Sequence, residues 1–127
     1  MDTECESKLI GIVDDDESVQ SALQDLLESF GLAARCFGSA EEFLQSGQQS
    51  KVACLITDVR MPGMSGIELL RHLIASNSKL PVIFITAHGS DDHARREASS
   101  DWTVAYLIKP FSENALLDAV NEALNRN

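Results

Sequence analysis

The most constraining feature of this chain is an alternation. Five short, almost unbroken apolar runs are each followed by a turn and then by a stretch with helical spacing. The runs are "KLIGIV", "LAARCF", "ACLIT", "VIFIT" and "TVAYLI". Behind the first, Val19, Leu23, Leu26, Leu27 and Phe30 recur at three- and four-residue steps until Gly31 ends the pattern. Behind the second, "GSAEEFLQSG" carries a capping-box pattern in Ser39 and Glu42. The turn "MPGMSG" precedes a helical face of Ile67, Leu70, Leu73 and Ile74, and Pro81 opens the fourth run. The segment "SDDHARREASSDW" is expected to be a helix with only Ala94 and Ala98 to bury, which makes it the element cheapest to displace. From Ser112 onward, Ala115, Leu116, Ala119, Val120, Ala123 and Leu124 form the last apolar face.

Strands that are apolar throughout are buried on both faces, and parallel neighbours need a crossover, usually a helix. The expected fold is therefore α/β: a doubly wound five-stranded parallel sheet with five helices. At 127 residues, with no internal repeat or linker, the chain fits one domain over 8–127, with residues 1–7 a flexible tail.

Ligands of open α/β sheets bind beyond the carboxyl ends of the strands, so the residues that close each strand are the candidates for chemistry. The first strand closes with Asp14 and Asp15, the third with Asp58, the fourth with Thr86 and the fifth with Lys109. Two carboxylates about 4 Å apart repel by about 4 kcal/mol at an effective dielectric of ~20, so three together call for a cation. Oxygen ligands of this kind suit Mg²⁺ or Mn²⁺, which leave room for water and a phosphate oxygen. One carboxylate could then attack phosphorus, with metal and lysine neutralising the transferring group and Thr86 hydrogen-bonding to it. Asp16 and Glu17 read instead as the start of a helix, where acids complement the dipole.

Composition narrows the partners. A formal net charge of −10 works against direct binding to nucleic acid or an anionic membrane, and Arg95–Arg96 is the sole adjacent basic pair. No apolar run approaches the roughly 18 residues that span a bilayer. The acidic opening "MDTECESK" does not read as a signal peptide, and a cytoplasmic location is expected. Cys5, Cys36 and Cys54 show neither metal-ligand spacing nor an even count, and read as reduced thiols.

Taken together, "IVDDD", "LITDVRMPGMSGIELL", "LPVIFITAHG" and "YLIKPF" resemble the response regulator receiver domains of two-component signalling, the CheY-like superfamily, over nearly the whole chain. The flavour of "VRMPGMSG" and "FITAHG" is similar to FixJ-type receivers, which precede a helix-turn-helix DNA-binding domain. The resemblance implies a flavodoxin-like strand order of 2-1-3-4-5. It implies that Asp58 accepts a phosphoryl group from a histidine kinase or phosphotransfer protein, with Asp14, Asp15, Asp58 and the backbone carbonyl of Arg60 around Mg²⁺. Lys109 would pair with phosphoryl oxygens, Thr86 and Tyr106 would form the switch, and the side chains of Arg60 and His88 would modulate dephosphorylation. Pro110 matches a position with a cis peptide bond. Downstream, the resemblance implies a protein partner or a DNA-binding output domain, and a phosphorylation-linked dimer. Such a protein is a signalling switch that catalyses only its own phosphorylation and dephosphorylation.

Two departures fall near the fifth strand. Trp102 stands near an expected glycine in "SSDWTVAY", and the interval from Thr86 to Lys109 is one residue longer than usual. Trp102 reads as a packing or interface residue, and His72 and His93 as surface histidines. The main rival is a phosphatase of the haloacid dehalogenase type with Asp14 as nucleophile, since "DDDESV" loosely fits its motif. A flavin binder would need a Ser-, Thr- and Gly-rich loop where this chain has acids. A pseudo-receiver would lack acids or lysine that this chain retains.

Overall fold

In the computed structural model, residues 9–49, 51–87, 96 and 101–125 are described. The five apolar runs become β1 (Leu9–Val13), β2 (Ala33–Phe37), β3 (Val52–Asp58), β4 (Val82–Thr86) and β5 (Thr103–Ile108). All four pairings are parallel and the order is β2-β1-β3-β4-β5. The helices with described bounds are α1 (Glu17–Ser29), α2 (Ala40–Ser46), α3 (Gly66–Ala75) and α4 (Glu113–Asn125). Of the helix expected over "SDDHARREASSDW", only Arg96, Asp101 and Trp102 belong to the described residues, so its mobility, like the tail at 1–7 and His93, lies outside them.

The sheet separates two cores, because successive strand residues point to opposite faces. On one face Val13, Phe37, Leu55 and Phe84 pack with Phe43 of α2 and Leu69, Leu70 and Leu73 of α3. On the other, Ile10, Ile12, Cys54, Ile56 and Ile83 pack with Leu23 and Leu27 of α1 and Leu116 and Val120 of α4. β3 feeds both, Leu55 into the first core and its neighbours Cys54 and Ile56 into the second. The Cys54 thiol is fully buried, and that burial pushes its pKa up to about 12. Cys36 and Cys54 are both free thiols, as the sequence suggests.

Helix ends follow local chemistry, with corrections to the periodic reading. Asp16 caps α1, its carboxylate accepting from the Ser18 amide at 2.9 Å and the Ser18 hydroxyl at 2.6 Å. At the other end Leu32 N donates to Leu27 O and Gly31 N to Glu28 O, a Schellman turn. Phe30, expected on the core face, is the C-cap residue there and is 57% exposed. On α3, Ile74 is exposed and Leu69 is buried in its stead. The Ser39 hydroxyl accepts from Glu42 N, but the Glu42 carboxylate reaches Gly38 N, one residue beyond the partner a capping box requires. The complete box lies at α3, where Ser65 N donates to Glu68 and Glu68 N to Ser65 Oγ.

Candidate functional site

β1 and β3 are neighbours at the centre of the sheet, with Val13 paired to Thr57, so the residues that follow them emerge side by side. Asp14 leaves β1 with its amide donating to Phe37 O of β2 at 3.1 Å. Asp14, Asp15 and Asp58 each offer a carboxylate oxygen, and these three atoms lie within 4.8 Å of one another. Asp14 is buried, Asp58 half-buried and Asp15 exposed, which grades the cluster from the core to solvent. One oxygen of Asp14 accepts from Asp16 N at 2.9 Å, while the other is buried without a hydrogen-bond partner. Burial, above all, raises the Asp14 pKa to about 6, with the Asp58 and Asp15 carboxylates adding to it. The Asp16 amide and Lys109 act in the opposite sense. An orphaned, buried carboxylate oxygen beside two further carboxylates is the donor set a hard divalent cation takes, so the residues present fit Mg²⁺. Asp16 is not one of the three, in line with its capping role.

Asp58 is the last residue of β3, and its surroundings come from the turn that follows. Arg60 N donates to Asp58 Oδ1 at 3.2 Å, the Thr57 hydroxyl to Asp58 O at 3.1 Å and Val59 N to Ile85 O at 3.0 Å. The start of α3 presses on this strand end: Gly66 N donates to Val59 O, and a Cβ on Gly66 would collide with the Asp58 carbonyl oxygen. Thr86, buried, closes β4, and its carbonyl accepts from Lys109 N at 2.8 Å. That bond fixes the point at which Lys109 leaves β5, and the Lys109–Pro110 peptide is cis. Tyr106 is half-buried and pairs across the strands with Phe84, their ring centroids 6.3 Å apart. Phe84 and Thr86 share a sheet face, so Tyr106 lies on the face that Thr86 shares. Arg60 is exposed, whereas His88 lies outside the described residues. His72 is exposed, as expected. Trp102 is half-buried, and its carbonyl extends the ladder by accepting from Val82 N at 2.8 Å.

Two residues that shape the site escaped the sequence reading. Gln20, on α1, donates from Nε2 to Asp14 O at 2.6 Å and lies 3.5 Å from Phe37 O, tying the ends of β1 and β2 to the helix. Its position one turn after the N-cap was the available signal. Gly66 read as one more turn residue, although it stands inside the S-x-x-E signature of the α3 cap.

Comparison with known proteins agrees with this geometry. The family model described as response regulator receiver domain matches residues 10–121. The chain is 42% identical over 118 residues to response regulator protein TodT of Pseudomonas putida, covering 93% of this chain and 52% of that protein. It is 42% identical over 122 residues to transcriptional regulatory protein FixJ of Azorhizobium caulinodans, covering 96% and 57%. The chain thus spans about half the length of these curated relatives. Among solved structures, FixJ-N superposes with a TM-score of 0.81 at 34% identity, covering 94% of this chain and 95% of that one.

Proposed function

Because the chain belongs to the response regulator receiver domain family, a two-component signalling module, we infer that Asp58 is its phosphoacceptor. The observation that carries this assignment is the convergence of Asp14, Asp15 and Asp58 at the ends of two central strands, with Thr86 and Lys109 closing the next two. Asp58 is the member suited to attack: it is half-buried and therefore reachable, and Arg60 N–H orients one of its oxygens. An Asp58 oxygen attacks phosphorus of a phosphohistidine on a kinase or phosphotransfer protein. The P–N bond breaks and the imidazole leaves. Asp14, Asp15, Asp58 and the Arg60 carbonyl would hold Mg²⁺ or Mn²⁺, which when bound neutralises charge on the transferring group.

Lys109 supplies a second positive charge toward the phosphoryl oxygens, and Thr86 donates its hydroxyl to them. The arrival of that group biases Thr86 and, on the same face, Tyr106 between two arrangements, which is how the output surface is switched. The Arg60 and His88 side chains tune how long the phosphoryl group survives. The module catalyses its own phosphorylation and dephosphorylation and no other turnover. Its partners are a histidine kinase or phosphotransfer protein and a downstream protein or DNA-binding output domain, with a phosphorylation-linked dimer. The free thiols of Cys36 and Cys54 support a reducing, cytoplasmic setting. Nothing in the site favours the dehalogenase-type alternative, because its nucleophile would be Asp14, which is 1% exposed and held by Asp16 N.

The test is chemical. Incubated with Mg²⁺ and a small acyl phosphate, the protein should gain a hydroxylamine-labile phosphoryl group that peptide mapping places on Asp58, and D58N should gain none. Labelling on Asp14 instead would overturn the assignment.

A further inference from the structure

The turn between β3 and α3, residues 59–65, runs directly from Asp58 and carries both the Arg60 amide that binds Asp58 Oδ1 and the Arg60 carbonyl. Its far end is held from another element. Met64 N donates to Glu41 Oε2 at 3.0 Å, across 23 residues of sequence. Glu41 stands in the first turn of α2, half-buried. The fit is close on the turn side as well: Gly63 adopts φ +77°, and a Cβ there would come within 2.7 Å of Glu41 Oε2. Met61 and Met64 pack against the same core as Ala40 and Phe43 of α2, so the turn and the helix share one support.

A hydrogen bond that a backbone amide donates to a side-chain oxygen is short-ranged and directional. In a turn this short, fixing Met64 restricts Arg60, four residues earlier. We propose that Glu41 is a positioning residue for the Asp58 site, its carboxylate holding the β3–α3 turn from α2 in the conformation that presents Arg60 to Asp58 and to a bound divalent cation. Resting on the receiver reading, this role makes α2 part of the phosphorylation machinery through a group that touches neither cation nor phosphoryl group.

Three variants separate the acceptor's position from its charge. E41Q keeps an oxygen at the same reach, E41D keeps the charge and its favourable place at the helix start but withdraws the oxygen by one methylene, and E41A removes both. For each, the Mg²⁺ concentration giving half of the maximal thermal stabilisation is measured on the unphosphorylated protein. The Mg²⁺ concentration that half-saturates labelling by acyl phosphate is measured separately. E41D and E41A should raise both about ten-fold or more, the lower end of the range for partners outside a metal's own ligands, with labelling restored at saturating Mg²⁺. E41Q should stay within about two-fold of the parent, and should E41A not fold, E41D carries the test. Parent-like Mg²⁺ dependence in E41D, with only a lower melting temperature, would overturn the proposal, as would an E41Q as weak as E41D. If the parent protein bound Mg²⁺ but labelled elsewhere than Asp58, the receiver reading would fail while the Mg²⁺ titrations still judged Glu41.

Discussion

Asp14 is where folding and chemistry conflict most openly. Its pKa is raised from 3.8 to about 6 because the fold buries it and sets two other carboxylates beside it. A carboxyl whose folded value exceeds its unfolded value binds protons more tightly when folded, so ionising it costs stability. The cost is absent below about pH 4, accumulates between about pH 4 and 6, and is complete above that. At 1.36 kcal/mol per unit it amounts to at most about 3 kcal/mol. In chelator, D14N should be more stable than the parent at pH 7 by about 1–3 kcal/mol. Urea unfolding from pH 4 to 7.5 should show that gap opening as pH rises and vanishing near pH 4. An equal gap at every pH would mean that Asn packs better, not that the charge is costly. The same variant should lose its stabilisation by Mg²⁺, since the charge that costs stability is the one that binds.

The end of β3 and the start of α3 form a second, steric dependence. Gly66 lies so near the Asp58 carbonyl that any side chain must push the helix and strand apart. G66A should therefore lose about 2–4 kcal/mol in urea unfolding, well beyond what its gain in helix propensity returns. Because Asp58 ends the displaced strand, labelling by acyl phosphate should slow as well; a folded G66A that labels at the parental rate would show that the contact relaxes elsewhere.

Such contacts also mark what was legible in the sequence. Strand positions and the three clustered acids were readable, because unbroken apolar runs and helical spacing are local and strand ends are where α/β sheets do chemistry, while the strand order came from the family resemblance. Phe30, Ile74 and Leu69 were misassigned because periodicity gives a helix's face but not where the helix stops or how it is rotated on the sheet. Gln20 and Gly66 were missed because a position near a helix cap does not say which strand end it will touch, and Glu41 because its partner lies 23 residues away in another turn. The expected role of His88 and the poorly amphipathic segment 90–102 fall largely outside the described residues.

Across the whole molecule, the acids at the sheet's edge and the two cores beneath them are one thermodynamic object. A cation that binds only the folded chain stabilises it by RT ln(1 + [L]/Kd), about 2.7 kcal/mol at 100 times Kd. The Cys54 thiol gives this coupling a readout, for it is sealed in the central strand β3, four residues before Asp58, and its raised pKa leaves almost no thiolate. An alkylating reagent reaches it only when the core between the sheet and helices α1 and α4 opens, so its modification is a clock on opening. With reagent dilute enough that reclosing outruns reaction, the Cys54 rate, read residue by residue by mass spectrometry, should fall about 100-fold at that Mg²⁺ concentration. A rate that Mg²⁺ leaves unchanged would mean that this core opens while the acids stay together. One silent thiol thus lets the molecule time its own excursions, without a dye, a tag or an engineered probe.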